Sequence, residues 1–311
     1  MEQSQTAIAL DQVSLQRQRF QLGPVSLAIP QGYVTAIVGP NGSGKSTLFR
    51  MMLDLVKPER GTIRLLDHQV GTAGDTSLKQ RIGYLAEGPT VGEDNMTGAF
   101  KTAFVRRWYS GWDDRHYRDL LAMFEVDDSL KLGKMSKGMR RKYDFALALA
   151  HRPELLLLDE PSSGLDPLAW RTMLEVLHRY MEDGDRTILM ASHVVEEVRR
   201  LADYIVFMAG GEVLGMYEKD ELLGRWQILF VQGTGLTSGG AAGMPGLCEL
   251  APAGQAWRVV TREAYDAERW CAENDIDITH RQPMGLDDIL AELMKQKKTG
   301  GRMNTGSGGI V

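Results

Sequence analysis

Gly39-Pro40-Asn41-Gly42-Ser43-Gly44-Lys45-Ser46-Thr47 fits the pattern G-x-x-x-x-G-K-[ST]. A polyphosphate needs backbone N–H groups pointing inward, which requires glycines where a Cβ would collide and a helix N-terminus behind them. Lys45 is expected to neutralise the β- and γ-phosphates, and the Ser46 hydroxyl to ligate Mg²⁺. The flanks agree: Tyr33-Val34-Thr35-Ala36-Ile37-Val38 reads as a buried strand, and Thr47 to Leu53 as a helix. In that strand–loop–helix setting the whole stretch is read as a nucleotide site.

The chain has 311 residues, enough for one large domain and a smaller one. With 43% hydrophobic and 25% charged residues it has the make-up of an ordinary soluble globular protein. A formal net charge of −5 supplies no bulk basic surface for nucleic acid, so no nucleic-acid partner is expected. Cys248 and Cys271 have no metal-ligand spacing; they suit a reducing compartment, with a single disulfide left open. The start lacks a basic and apolar leader. No apolar run approaches the ~18 residues needed to cross a bilayer, so any work at a membrane requires another chain to do the crossing.

Ahead of the phosphate loop, Ala7-Ile8-Ala9-Leu10, Val13-Ser14-Leu15 and Val25-Ser26-Leu27-Ala28-Ile29 read as short strands of an antiparallel lobe. Phe20 in this lobe suits either stacking on an adenine ring or plain aromatic packing. Beyond the loop, Thr62 to Leu66 and Arg81 to Ala86 read as strands, the second ending at Glu87. A carboxylate at the C-terminal end of an α/β strand lies where ligands bind. Residues 90 to 150 look helical. Their aromatics Phe100, Phe104, Trp108, Tyr109 and Trp112, with Arg106 and Arg107, fit a subdomain core or a partner-docking surface.

From Lys131 to Lys142 the chain holds six basic residues and no acid, with Ser136 placed to cap the following helix. Cations at a helix N-terminus oppose its dipole, so an anion is expected there. Leu155-Leu156-Leu157-Leu158-Asp159-Glu160 then reads as a strand buried on both faces with two carboxylates at its C-terminal end. Asp159 is placed to hold Mg²⁺ and Glu160 to polarise an attacking water. After the turn Ser162 to Pro167, Thr187 to Ser192 is another buried strand, and His193 at its tip is placed to reach the γ-phosphate.

Together these spacings resemble the nucleotide-binding subunit of ABC transporters. Gly39 to Thr47 is similar to the Walker A motif, Leu155 to Asp159 with Glu160 to Walker B and its catalytic glutamate, and His193 to the switch histidine. Met135-Ser136-Lys137-Gly138-Met139 resembles the signature segment loosely, and Ser163-Gly164-Leu165-Asp166 the D-loop. The Ser-Lys-Gly-Met form, the Ala-Leu-Ala-Leu-Ala helix and Leu286-Asp287-Asp288-Ile289-Leu290 look like the bacterial ABC-2 type, YtrB-like, antibiotic-export branch. The resemblance implies an α/β fold: a P-loop ABC ATPase core of mixed sheet with an antiparallel β lobe, plus a helical subdomain over about residues 88–150. It implies ATP and Mg²⁺ as cofactors, with Glu87 replacing the usual glutamine as an oxygen ligand to the metal or its water. Lys45, Glu160 and His193 would be catalytic. Two chains, copies of this one or a related ATPase subunit, would close head to tail on ATP. Ser136, Gly138 and Asp166 of one chain would then meet the nucleotide of the other, and what charge Lys137 adds there stays open. Transmembrane permease subunits would hold the assembly at the inner face of the cell membrane.

The first domain is expected over 1–222. From 223 to 298 the reading is a small C-terminal α/β accessory domain. Its strands are at Ile228 to Val231, Trp257 to Val260 and Ile276 to Thr279, with a helix from Ala264 to Asn274 and a helical stripe through Leu286, Ile289, Leu290, Leu293 and Met294. Residues 299–311, rich in Gly and Ser, are expected to be a disordered tail. The competing function is a soluble ABC ATPase acting on nucleic acid or ribosomes; such proteins usually carry two cassettes or a long coiled coil, and this chain has neither.

Overall fold

The computed structural model describes residues 5–18, 20–72, 75–233 and 243–303. Two compact units, Met1–Met216 and Tyr217–Val311, account for the chain. In the first, β1 (Thr6–Arg17) and β2 (Phe20–Pro30) are followed by β3 (Val34–Val38), the loop, and α1 (Lys45–Met52). Then come β4 (Arg60–Leu65), β5 (His68–Gln69), the short α2 (Asp75–Lys79) and β6 (Ile82–Leu85). The helical region holds α3 (Gly98–Arg106), α4 (Asp114–Met123) and α5 (Lys137–Leu149). After it run β7 (Leu155–Asp159), α6 (Pro167–Met181), β8 (Thr187–Ser192), α7 (Val195–Leu201), β9 (Tyr204–Ala209) and β10 (Glu212–Glu218).

The strands form a four-stranded antiparallel sheet, β2-β1-β4-β5, and a six-stranded sheet, β10-β9-β3-β8-β7-β6, in which β9, β3, β8, β7 and β6 run parallel. Leu155, Leu156, Leu157 and Leu158 are all fully buried, as an inner strand covered on both faces requires. Parallel order matters for function: it brings the C-terminal ends of β3, β7, β8 and β6 to one edge, so the phosphate loop, Asp159-Glu160, His193 and Glu87 emerge side by side.

The N-terminal lobe differs in detail from its sequence pattern. Short strands are expected at residues 7–10 and 13–15, yet β1 is one long strand with register shifts between Leu10 and Val13 and between Val13 and Leu15. Gln12 takes a positive φ of 50° there, and its N–H donates to Ser26 Oγ. The apparent break is a bulge inside one strand.

The second unit begins with α8 (Lys219–Arg225) and contains β11 (Gln227–Gln232), β12 (Leu247–Ala253), β13 (Ala256–Thr261), α9 (Ala264–Glu273), β14 (Asp277–Pro283) and α10 (Leu286–Met303). Its antiparallel sheet has the order β12-β13-β11-β14. Strand β12 has no counterpart in the sequence reading. Pro252 argues against a strand, but β12 lies at the sheet edge, where a missing N–H is tolerated. Leu229, Val231, Val259, Ala267 and Cys271 form its own core. Cys248 and Cys271 are both free thiols. The backbone of α10 is helical to Met303, five residues into the expected tail; residues 304–311 lie outside the described residues.

Candidate functional site

The loop leaves β3 and enters α1 at Lys45, so Lys45 and Ser46 sit in the first helical turn. Two glycines have evident physical reasons. A Cβ on Gly39 would lie 2.0 Å from the Met208 carbonyl oxygen, and Gly44 caps α1 at φ 108°, a strained conformation for any residue with a side chain. The first-turn N–H groups of α1 have no intrahelical acceptor and aim the positive helix end at the loop. Asn41, Gly42, Ser43, Gly44, Lys45, Ser46 and Thr47 border a cavity of about 320 Å³ whose remaining walls are Phe20, Glu87 and Glu160. A triphosphate thus has a cradle, an aromatic wall and nearby carboxylates.

Lys45 is buried, and its Nζ donates to the carbonyls of Gly39 (2.8 Å) and Pro40 (3.4 Å) while standing 3.9 Å from Glu160 Oε1. The Ser46 hydroxyl donates to Asp159 Oδ1 at 3.2 Å. Burial pushes the Asp159 carboxyl up to about 6, and the nearby Glu87 and Glu160 charges push the same way against the Ser46 hydrogen bond. A buried carboxylate with two more carboxylates nearby invites a hard cation. Among the described residues no three His, Cys, Asp or Glu side chains gather into a protein-only cage. That donor set fits Mg²⁺, which keeps waters and takes phosphate oxygens beside one or two protein ligands.

Glu160 follows β7 directly and takes a left-handed φ of 51°. Such a conformation persists where surroundings over-determine it. Here the Glu160 N–H donates to the Ala191 carbonyl at 2.9 Å. His193 Nδ1 lies 2.7 Å from Glu160 Oε2; because a carboxylate accepts, Nδ1 carries the proton. The turn holding His193 has its own support: Ser192 Oγ donates to Glu197 Oε2 (2.9 Å) and accepts from the Val194 N–H (3.0 Å). Glu197 is buried, and burial raises its pKa. Nothing in its local sequence distinguishes it from an ordinary helix-surface glutamate.

Other candidates lie apart from the cavity. Ser136 caps α5 by accepting from the Met139 N–H, and Gly138 packs where a Cβ would come within 3.0 Å of the Gly164 carbonyl oxygen. Asp166 caps α6, accepting from the Leu168 and Ala169 N–H groups, which hold its carboxyl below the usual range. The basic run is divided. Lys137 Nζ donates to Ser163 Oγ at 3.1 Å. Arg140 is buried in ion pairs with Glu93 and Asp144, and Lys101 bridges the same two acids. Arg141 is buried and bonded to main-chain carbonyls. Arg140 therefore neutralises the protein's own acids and Arg141 serves its own carbonyls, so neither of these two of the six cations is free for a phosphate.

The aromatic stretch divides too. Phe100, Phe104 and Trp108 are 62%, 58% and 65% exposed, whereas Tyr117, Leu120, Leu121 and Phe124 are core. Trp112 is half-buried against Tyr117, its indole N–H donating to Asp114 Oδ1, and Tyr109 stacks on His151.

Residues 22–163 match the family described as ABC transporter. The chain is 36% identical over 197 residues to the ABC transporter ATP-binding protein NatA of Bacillus subtilis, a match covering 61% of this chain and 78% of that protein. It is 34% identical to the daunorubicin/doxorubicin resistance ATP-binding protein DrrA of Streptomyces peucetius, covering 64% of this chain and 61% of DrrA. An uncharacterised ABC transporter ATP-binding protein of Nostoc is 36% identical; the match covers 67% of this chain but spans only 63% of the Nostoc protein's length. Among solved structures, the ATP-binding subunit of an ABC transporter superposes with a TM-score of 0.63 at 27% identity, covering 70% of this chain and 92% of that one.

Proposed function

From the premise that this chain belongs to the ATP-binding proteins of ABC transporters, we propose that it is the ATP-hydrolysing subunit of a bacterial ABC-2 type exporter. The observation that carries this reading is the Glu160 carboxylate, 2.7 Å from His193 on one oxygen and 3.9 Å from Lys45 on the other, beside a loop built for phosphates. Glu160 orients a water against the γ-phosphate and accepts its proton, and His193 fixes the angle of that carboxylate. Lys45 and the first turn of α1 meet the phosphate charge. Mg²⁺ held by Ser46 and Asp159, with Glu87 at the cavity wall, would supply further charge neutralisation at the β- and γ-phosphates.

Ser136 and Gly138 stand at the start of α5, outside their own chain's cavity, which suits contact with the nucleotide of a second chain. The exposed Phe100, Phe104 and Trp108 suit a membrane partner. Among the described residues no helix is long and apolar enough to cross a membrane, so a transmembrane permease would have to supply the crossing. Likeness to DrrA favours export as the direction.

The test is Mg²⁺-dependent ATP hydrolysis by the purified chain. Lys45→Ala is expected to lose ATP binding. Glu160→Gln is expected to keep binding and lose turnover by about 10²–10⁴-fold. Wild-type turnover in Glu160→Gln would contradict the role given to Glu160.

A further inference from the structure

Arg141 lies on α5, one turn beyond Lys137 and on the same helix face. The residue is 6% exposed, and its guanidinium reaches four main-chain carbonyls. Nε donates to Pro161 O at 3.0 Å, Nη2 to Asp159 O and Glu160 O at 2.5 Å each, and Nη1 to Ala86 O. Burial alone does not select these acceptors. A buried cation must be hydrogen-bonded, but many carbonyls would serve. Here three belong to consecutive residues that include both site carboxylates, and the fourth belongs to the residue immediately before Glu87. Glu160 is also the residue held at φ 51°: its N–H is fixed by Ala191 and its carbonyl by Arg141.

We propose that Arg141 is a positioning residue for hydrolysis: its planar fork sets the backbone of Glu160 so that the carboxylate stands between Lys45 and His193. The same fork ties the N-terminal half of α5 to the ends of β6 and β7, so the Ser136–Gly138 segment, Glu87 and Glu160 move as one piece. Lys137 adds a second tie from that helix face, through Ser163, to the turn after β7. Lysine in place of Arg141 would keep the charge but present a single point donor, not a fork able to reach separate carbonyls. The inference rests on the reading that Glu160 activates the water.

The experiment is a double-mutant cycle on the full chain, with turnover measured at saturating Mg·ATP and ATP affinity measured separately. Arg141→Gln is expected to lower kcat about 100-fold while the Kd for ATP changes less than about threefold. In the Glu160→Gln background the same substitution is expected to change the residual single-turnover rate by less than about threefold, because the group it positions is already absent. A folded Arg141→Gln chain with wild-type kcat, or one losing the same factor in both backgrounds, overturns the proposal. A merely structural arginine gives the second result. If circular dichroism shows Arg141→Gln unfolded, Arg141→Lys takes its place with the same expectations and the same overturning results. Glu160→Gln at wild-type turnover overturns the functional reading itself; loss of turnover there with no coupling to Arg141 overturns only this inference.

Discussion

Asp159 and Glu160 are adjacent, yet their surroundings give them different work. Asp159 is buried and paired with the Ser46 hydroxyl, and Glu160 is turned by a left-handed backbone toward His193. His193→Ala should therefore reduce turnover while leaving ATP affinity within about threefold, because it removes the partner of Glu160 Oε2 and no phosphate-loop contact. Equal loss of affinity and turnover would place His193 in binding instead. A second residue reports on the fold alone. His151 is buried against Tyr109 with Nε2 on the Ile82 carbonyl, and burial lowers its pKa from 6.5 to about 4. The unfolded chain then takes a proton that the folded chain refuses. The associated stability is present above pH 6.5 and is lost as pH falls toward 4, by about 3 kcal/mol in all. His151→Gln, which keeps a donor without titrating, should flatten urea-unfolding stability against pH in that window; an unchanged slope would contradict the neutral buried histidine. These residues differ in legibility. Glu160 and His193 were readable because each ends an apolar strand, whereas Arg141 sits in a cationic run that reads as an anion site. Only tertiary structure reveals that its partners are carbonyls at the C-terminal ends of β6 and β7.

Elements built from local pattern were the most legible. The four leucines of β7 and the phosphate-loop strand needed no partner to be recognised. Strand β12 did, because a proline at a sheet edge is harmless only once the edge is known. Helix α3 and the turn after it show the same limit: the sequence marks an aromatic-rich stretch but cannot say which of its side chains are wet. Phe104 and Trp108 pack edge to face, 6.2 Å between centroids, on an open surface, while Trp112 turns inward. Phe104→Ala with Trp108→Ala should leave thermal stability nearly unchanged, as exposed substitutions do, and weaken co-purification with the proposed membrane partner. Trp112→Ala should lower stability instead. Undiminished co-purification of the double variant would remove Phe104 and Trp108 from the docking surface.

At the scale of the whole molecule, the first unit carries the nucleotide site, and the second is a separate antiparallel sheet with its own core. We propose an accessory role for the second unit, with dimer support as one form of it. Deleting residues from Tyr217 onward would test this; the remaining unit should still bind ATP, since every residue lining the cavity precedes it. Loss of ATP binding in a folded truncation would contradict that independence. Ser136 and Gly138 do not line their own chain's cavity, and the proposed function gives them a use in a second chain arranged head to tail. The most direct measurement is the light-scattering mass of Glu160→Gln with and without Mg·ATP. From a chain mass of 34.6 kDa, the account expects a doubling on addition of ATP that is abolished by adding Lys45→Ala. A mass that stays at one chain under saturating ATP would contradict it.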